Sequence, residues 1–483
     1  MGNEPQFAKY PLLHLAQDVF NLTNTFAPKS VQQESLKSLQ DAILKYKMAP
    51  LYRYITHPLE GILNDNPTNN SHQTTSSARK SSAAGMVASW NPMIKFDLQW
   101  DESYYEKISK ENEEALEKFM NEEKEAAEKA GDTEVQAATG QRAEYLAMIG
   151  DKERAITAYE ELFEKTGVLG TKIDIVLAII RMGIFYGDKC LVKNQVDRAQ
   201  ILVESGGDWD RRNRLKAYQG LYLLTIRQYE SSAPLLLDSL STFTSYELCS
   251  YSSLVVYAVL VGSVSLKRGD FKSKVVDAPE IRALLGDGEE KLSALSGKLP
   301  AGSGSEDEIK NTGNLSKTAF NLTILGQDQP KVEIAVDFSP LAKLVSSLYV
   351  GNYQSFFKAL ADVEVGFLRQ DRYLFEHRGW FVREMRLRAY QQLLQSYRVV
   401  GLDSMANDFG VSVEFLDRDL AKFIAAQRIP CTIDRVNGKG IIETNRPDDK
   451  NKQYIDLVKQ GDQLITKLQK YGQAVRLRGS ERA

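Results

Sequence analysis

Histidine and cysteine are the residues best suited to metal binding and nucleophilic chemistry, and this 483-residue chain uses them sparingly. The four histidines, His14, His57, His72 and His377, are scattered, so His-Glu-x-x-His and His-x-His metal patterns are absent. The three cysteines, Cys190, Cys249 and Cys431, form no Cys-x-x-Cys pair. Their odd number and wide spacing argue against a zinc site and a disulfide framework, and fit a reducing intracellular compartment. Neither a Gly-x-x-x-x-Gly-Lys-[Ser/Thr] phosphate loop nor a Gly-x-Ser-x-Gly elbow occurs. We therefore expect no catalytic residues, no metal, no cofactor and no enzyme activity.

The remaining chemistry is that of charge and apolar surface. Lys and Arg number 61 against 64 Asp and Glu, a net charge of -3, which disfavours a protein devoted to phosphate or anionic membranes. The basic cluster Arg211-Arg212-Asn213-Arg214 follows Gly207-Asp208-Trp209-Asp210. Its acidic flank points to local ion pairs, with Asp208 or Asp210 capping the next helix and Trp209 wedged into a core. No secretory signal opens the chain, and Gln6 stands where a myristoylated Gly2 would want Ser or Thr. Leu248–Leu266 carries no charge and is long enough to tempt a membrane reading. Its five serines, Ser250, Ser252, Ser253, Ser263 and Ser265, favour a buried core helix, so no membrane contact is expected.

Helical periodicity runs through most of the chain. Val31–Tyr46 and the charged Glu106–Lys129 read as helices, the second with i,i+4 Glu/Lys support on a solvated face. Helix-turn-helix rhythm follows. Breaks fall at Gly150-Asp151, Tyr186-Gly187-Asp188 and Arg227-Gln228-Tyr229, roughly 37 and then 40 residues apart, near the tetratricopeptide period of about 34. Ala155, Ala199, Gly220 and Ala233 stand where helices must approach closely. Such pairs bury their apolar faces by stacking into a solenoid, a geometry for binding. Leu341–Tyr349, Phe356–Val363 and Trp380–Tyr397 resume the helical pattern.

A different pattern begins at Ser404. A short helix ends at Phe409-Gly410, Ser412 caps a second helix over Val413–Ala426, and β-prone runs Ile429–Val436 and Ile441–Thr444 flank Asn437-Gly438-Lys439-Gly440. This is winged-helix order. The second helix carries Glu414, Asp417 and Asp419 against Arg418 and Lys422, whereas a groove-reading helix should be basic. Specific nucleic-acid binding is therefore not expected. The hairpin can instead extend a neighbour's sheet, with Ile429, Cys431, Ile433, Ile441 and Ile442 as candidate interaction residues. Beyond it, Gln453–Val475 has an a/d seam of Leu457, Gly461, Leu464, Leu468, Tyr471 and Val475. It is too short to stand alone as a coiled coil, so a multi-chain helical bundle is the natural partner; packing onto its own domain is the alternative.

The expected fold is all-α for the most part. An N-terminal helical segment (1–63) and a flexible insertion rich in Ser, Thr and Asn (64–90) precede TPR-like repeats (91–285). A second, Gly/Ser-rich insertion (286–335) leads to a further helical segment (336–400), a winged helix (401–446) and a terminal bundle helix (447–483).

Several long runs carry a family likeness: Lys47–Ile55 (KMAPLYRYI), Gly206–Tyr222 (GGDWDRRNRLKAYQGLY), Ser241–Tyr251 (STFTSYELCSY), Trp380–Arg398, Met405–Ala426 and Ile442–Tyr454. Through them the chain resembles the subunit-seven family of PCI-domain proteins in the 26S proteasome regulatory-particle lid. The resemblance implies winged helices joined in a horseshoe and C-terminal helices gathered in a bundle. It further implies partners among other lid subunits, the ATPase ring and the core particle, residence in cytoplasm and nucleus, and no peptidase activity. The signalosome paralogue is the alternative, but the GDWDRRNR and ETNRPDDKN runs look proteasomal. A nucleic-acid-associated PCI scaffold, such as an RNA-export or translation-initiation subunit, fits poorly with the acidic second helix.

Overall fold

The computed structural model describes residues 9–58, 61–62, 100–129, 131–285, 337–435, 440–444 and 449–480. The two expected insertions, 64–90 and 286–335, and the hairpin residues Asn437-Gly438-Lys439 lie outside the described residues. Two compact units are present, one comprising residues 1–350 and 358–384 and the other residues 351–357 and 385–483.

The first unit is helical. It begins with α1 (Leu13–Thr23), α2 (Lys29–Tyr46) and α3 (Ala49–Thr56). The repeat region comprises α4 (Glu102–Lys129), α5 (Asp132–Ile149), α6 (Lys152–Lys165), α7 (Leu169–Tyr186), α8 (Lys189–Glu204), α9 (Trp209–Thr225), α10 (Tyr229–Ser239) and α11 (Tyr251–Ser265). Short α12 (Arg268–Phe271) continues as a π-helix over Lys272–Val276 before α13 (Pro279–Leu285) and α14 (Ser339–Val350). Sequential helices pack as antiparallel pairs, and α7 and α11 are the most completely buried. The uncharged Leu248–Leu266 run is thus a core helix. No described helix is long and apolar enough to cross a membrane.

The expected breaks are tight turns with a shared construction. Gly150 and Gly187 adopt left-handed φ of 80° and 72°, ending one helix where a Cβ would be strained. The following aspartate caps the next: Arg154 N donates to Asp151 Oδ1 at 3.1 Å, and Leu191 N to Asp188 Oδ1 at 3.0 Å. Successive turns are also tied sideways, by Lys152 Nζ to Asp188 at 2.8 Å and Tyr186 Oη to the Gly150 carbonyl at 2.5 Å. The third turn departs from this recipe. Arg227 takes the left-handed position with φ 66°, a conformation that costs a non-glycine residue about 1–2 kcal/mol.

The small residues sit where helices cross. Ala155, Ala199 and Ala233 are fully buried. A Cβ on Gly220 would lie 2.7 Å from Leu236 Cδ2, and Ser232 Oγ donates to the Gly220 carbonyl at 2.8 Å.

The Gly207–Arg214 cluster is structural, though built differently from expectation. Asp208 occupies the N-cap of α9, but its carboxylate takes Arg211 Nη1 at 2.5 Å rather than a backbone amide. Arg211 also grips Asp174 at 2.6 Å, and buried Arg214 bridges Asp174 and Glu247 at 3.3 and 2.9 Å. Tyr218 donates to Glu247 at 2.9 Å. Trp209 is not a core wedge. The residue is 66% exposed, while the Arg211 guanidinium packs against Gly170, about 3.0 Å from where a Cβ there would sit.

After α15 (Tyr353–Val363), which passes into a π-helical turn at Glu364–Leu368, the chain crosses the first unit again before α16 (Arg378–Ser396). This crossing, residues 369–380, is fastened to many helices. Asn24 Nδ2 and Gln17 Nε2 of α1 and its cap donate to the carbonyls of Arg369 and Gln370, both at 2.7 Å. Buried Arg372 donates to the Ile184 carbonyl at the end of α7 at 2.5 Å. Tyr257 of α11 donates to Asp371 at 2.5 Å, and desolvation pushes the Asp371 carboxyl above its ordinary range.

Packing at the α9–α10 crossing predicts a specific sensitivity. Gly220→Val should cost about 1–3 kcal/mol through overpacking. Gly472→Ala, where a Cβ meets nothing within 4 Å, should leave thermal unfolding of the full chain unchanged or raise its midpoint slightly. Equal midpoints for the two variants would contradict the packing.

Candidate interaction surfaces

The second unit contains the winged-helix module: β1 (Val399–Gly401), α17 (Leu402–Phe409), α18 (Val413–Ala425), β2 (Cys431–Asp434) and β3 (Ile441–Thr444), followed by α19 (Asp449–Ser480). Gly410, with φ 65°, ends α17. Ser412 caps α18 by accepting from Phe415 N at 3.3 Å, as its position in the sequence suggests. One face of α18 presents Leu416, Leu420 and Phe423 to the core. They meet an aromatic cluster in which Tyr353 stacks on Phe409 at 4.6 Å and Tyr390 sets its edge against Phe409 at 5.0 Å.

The sheet has three strands, in the order β1-β3-β2, all antiparallel. The strand β1 is the one sequence reasoning missed, since three residues of Val-Val-Gly carry too little alternation to signal a strand. Its pairing changes the expected interaction residues. Val400 faces Ile442 and Gly401 faces Ile441 across the β1–β3 ladder, so β3 is central and Ile441 and Ile442 cannot receive a further strand. Ile429, Cys431 and Ile442 are buried in the module, and burial pushes the Cys431 thiol above its usual range. These three side chains belong to the core of the module. Ile433 is half-buried and Ile441 is 39% exposed. Among the described residues, the backbone edges without a neighbouring strand belong to β1 and β2.

Two of the three acidic residues of α18, Asp417 and Asp419, have internal roles. Asp417 pairs with Arg435. Asp419 is buried, accepts from Tyr390 Oη at 3.3 Å and lies 3.4 Å from Arg386 Nη1. Arg386 in turn sits over the exposed Phe415 ring at 5.5 Å. What α18 offers outward is Val413, Glu414 and Phe415 beside Arg418 and Lys422, a mixed surface and not a basic row.

Helix α19 differs from every other long helix. Every residue from 453 to 476 is exposed except Gly461, which is half-buried. The seam residues Leu457, Leu464, Leu468, Tyr471 and Val475 are between 61% and 71% exposed. Ile455, Val458 and Ile465, not singled out from the sequence, are also exposed and broaden the apolar face. An amphipathic helix of 32 residues, about 48 Å long, thus presents its apolar stripe to solvent. Among the described residues no group of three or more His, Cys, Asp or Glu is arranged to hold a metal ion.

Comparison with known proteins follows these divisions. A family model described as 26S proteasome subunit RPN7 matches residues 101–274, and a PCI domain model matches residues 363–444. A third, described as the 26S proteasome regulatory subunit RPN7/PSMD6 C-terminal helix, matches residues 453–475, the exposed seam itself. The chain is 38% identical to the 26S proteasome regulatory subunit rpn7 of Schizosaccharomyces pombe over 97% of both chains. It is 37% identical to the corresponding subunit of Saccharomyces cerevisiae, over 99% of this chain and 96% of that one. Identity to the 26S proteasome non-ATPase regulatory subunit 6 homolog of Arabidopsis thaliana is 34%, over 99% of this chain and all of that one. With likeness of this extent, and with models for the repeats, the PCI domain and the terminal helix matched in order, the chain belongs to the RPN7/PSMD6 family of 26S proteasome regulatory subunits.

Proposed function

We propose that this chain is a non-catalytic structural subunit of the 26S proteasome regulatory-particle lid, supporting lid assembly and through it ubiquitin-dependent protein degradation. The observation that carries this reading is α19. Its exposed leucines would each gain about 1.5–3 kcal/mol on full burial, and the long apolar stripe has no cover within the described part of its own chain. Partner helices from other lid subunits are the natural cover. The outer edges of β1 and β2 offer a second means of joining, in which backbone groups set affinity and Ile433 and Ile441 flank the contact. The helical repeats supply the surface that would brace the lid against the ATPase ring and core particle. The same reading places the protein in cytoplasm and nucleus, where such a particle works.

Two measurements test it. Purified from cells through a tag on this chain, the complex should contain ATPase-ring and core-particle subunits when resolved by native mass spectrometry. Recovery only with a deneddylating complex lacking ATPases would refute the lid assignment. At residue level, Leu464→Glu combined with Leu468→Glu should leave the isolated chain's unfolding midpoint unchanged, because both side chains already lie in water, and should reduce incorporation into the lid at least tenfold. Ile442→Asp should instead unfold the winged-helix module, at a cost of roughly 4 kcal/mol or more for an unpaired charge in an apolar core. Full incorporation of the double glutamate variant would rule out α19 as the assembly element.

A further inference from the structure

The crossing segment 369–380 meets the array at its strained turn through one titratable side chain. His377 is buried. Arg227 Nε donates to its Nδ1 at 3.3 Å, and its Nε2 lies 2.9 Å from the Thr225 carbonyl. Arginine can only donate and a carbonyl can only accept. The ring must therefore be neutral, with its proton on Nε2. Arg227 is the residue held left-handed between α9 and α10. Its guanidinium also lies 5.6 Å from the centre of the Trp380 ring, and Trp380 packs 5.1 Å from Tyr229. One imidazole thus joins α9, the α9–α10 turn and the start of α16.

We propose that His377 is a proton-operated latch: neutral, it holds Arg227 and fastens residues 369–380 to the α9–α10 turn; protonated, it expels Arg227 and loosens that attachment. A proton on Nδ1 turns the acceptor that Arg227 meets into a donor and sets two cations in contact. Arg227 is exposed and can swing into water, whereas His377 is held by the Thr225 carbonyl. Arg227 leaves behind a non-glycine residue at positive φ without its side-chain support, and a Trp380 face without its cation.

The charges around the ring favour the neutral form on balance. Arg227 from the α9–α10 turn and Lys189 from α8 oppose protonation. Glu376, adjacent in the chain, favours it, but its carboxylate is engaged by Lys189 at 3.0 Å. Tyr229 of α10 presents a ring edge with its hydroxyl protonated, burial having raised that group far above its ordinary range. Desolvation is the largest influence and opposes the charged form, and the hydrogen bond to the Thr225 carbonyl is the main one favouring it. The folded-state pKa consequently lies below the ordinary imidazole value. The latch is fully closed above about pH 6.5 and opens as pH falls through the lower folded value.

The experiment uses the full chain with ring-labelled histidine, whose four resonances are assigned with His377→Gln. Glutamine keeps one acceptor and one donor and cannot take up the proton. The His377 signal should titrate with a midpoint below about 6.5, and Trp380 fluorescence should change over the same range. That change should vanish in H377Q and in Trp380→Phe. Arg227→Gln should move the His377 midpoint upward and abolish the Trp380 response. A His377 midpoint at or above the ordinary value, or a Trp380 response unaltered by H377Q, would overturn the proposal. Should H377Q fail to fold, the R227Q comparison alone decides: an unmoved His377 midpoint in that variant rejects the latch.

Discussion

A pair of antiparallel helices hides only half of its apolar surface, and the other half must be covered by the next pair. That constraint governs the first unit of this protein. The crossings at Gly220 and at Ala155, Ala199 and Ala233 bring backbones close enough for the cover to be complete. The Gly-Asp turns at 150–151 and 187–188 start each return helix at a fixed angle. An array built this way leaves open faces at its ends. Here the chain supplies part of the covering itself: α1 packs against α7, and residues 369–380 return to touch α1, α7, α8 and α11.

Polar locks then choose one arrangement among those that apolar stacking alone would allow. The Asp174, Arg211, Arg214 and Glu247 network joins α7, α9 and the loop before α11. Buried pairs of this kind add little net stability over apolar residues of the same size. Removing one member strands its partner's charge, so a misregistered array would be heavily disfavoured. Asp371 and Arg372 act in the same sense for the crossing segment, tying it by specific hydrogen bonds to α11 and α7.

How much of this could be read from the sequence follows the range of the interactions. Local signals were legible. Glycine at positive φ, aspartate as an N-cap, Ser412 before α18 and the seam in α19 are all set within a few residues of the chain. The RPN7/PSMD6 likeness was legible in long unusual runs. Features decided by distant partners were not. Strand β1 exists because β3 lies beside it, some forty residues on. Trp209 lies outside while Arg211 takes the inward contacts with Gly170 and Asp174. Ile442 and Cys431 look like contact residues on an isolated hairpin and become core once β1 and α17 are in place. The 369–380 crossing has little periodicity, since its order comes from hydrogen bonds to five separate helices and not from its own pattern.

The same reasoning bears on α19, whose apolar stripe no described residue of its own chain covers. A narrow a/d stripe would be satisfied by one partner helix. Here Val458 and Ile465 lie one residue beyond seam positions Leu457 and Leu464, which places a second apolar row beside the first. A stripe widened in this way matches helices packed on more than one side, as in a bundle. Gly461 and Gly472, where an added Cβ would meet nothing within 4 Å, leave the backbone open to close approach. Under the proposed function, the cost of keeping this face in water is borne by the isolated chain and recovered on assembly, so an uncovered helix would favour the complex over the free subunit.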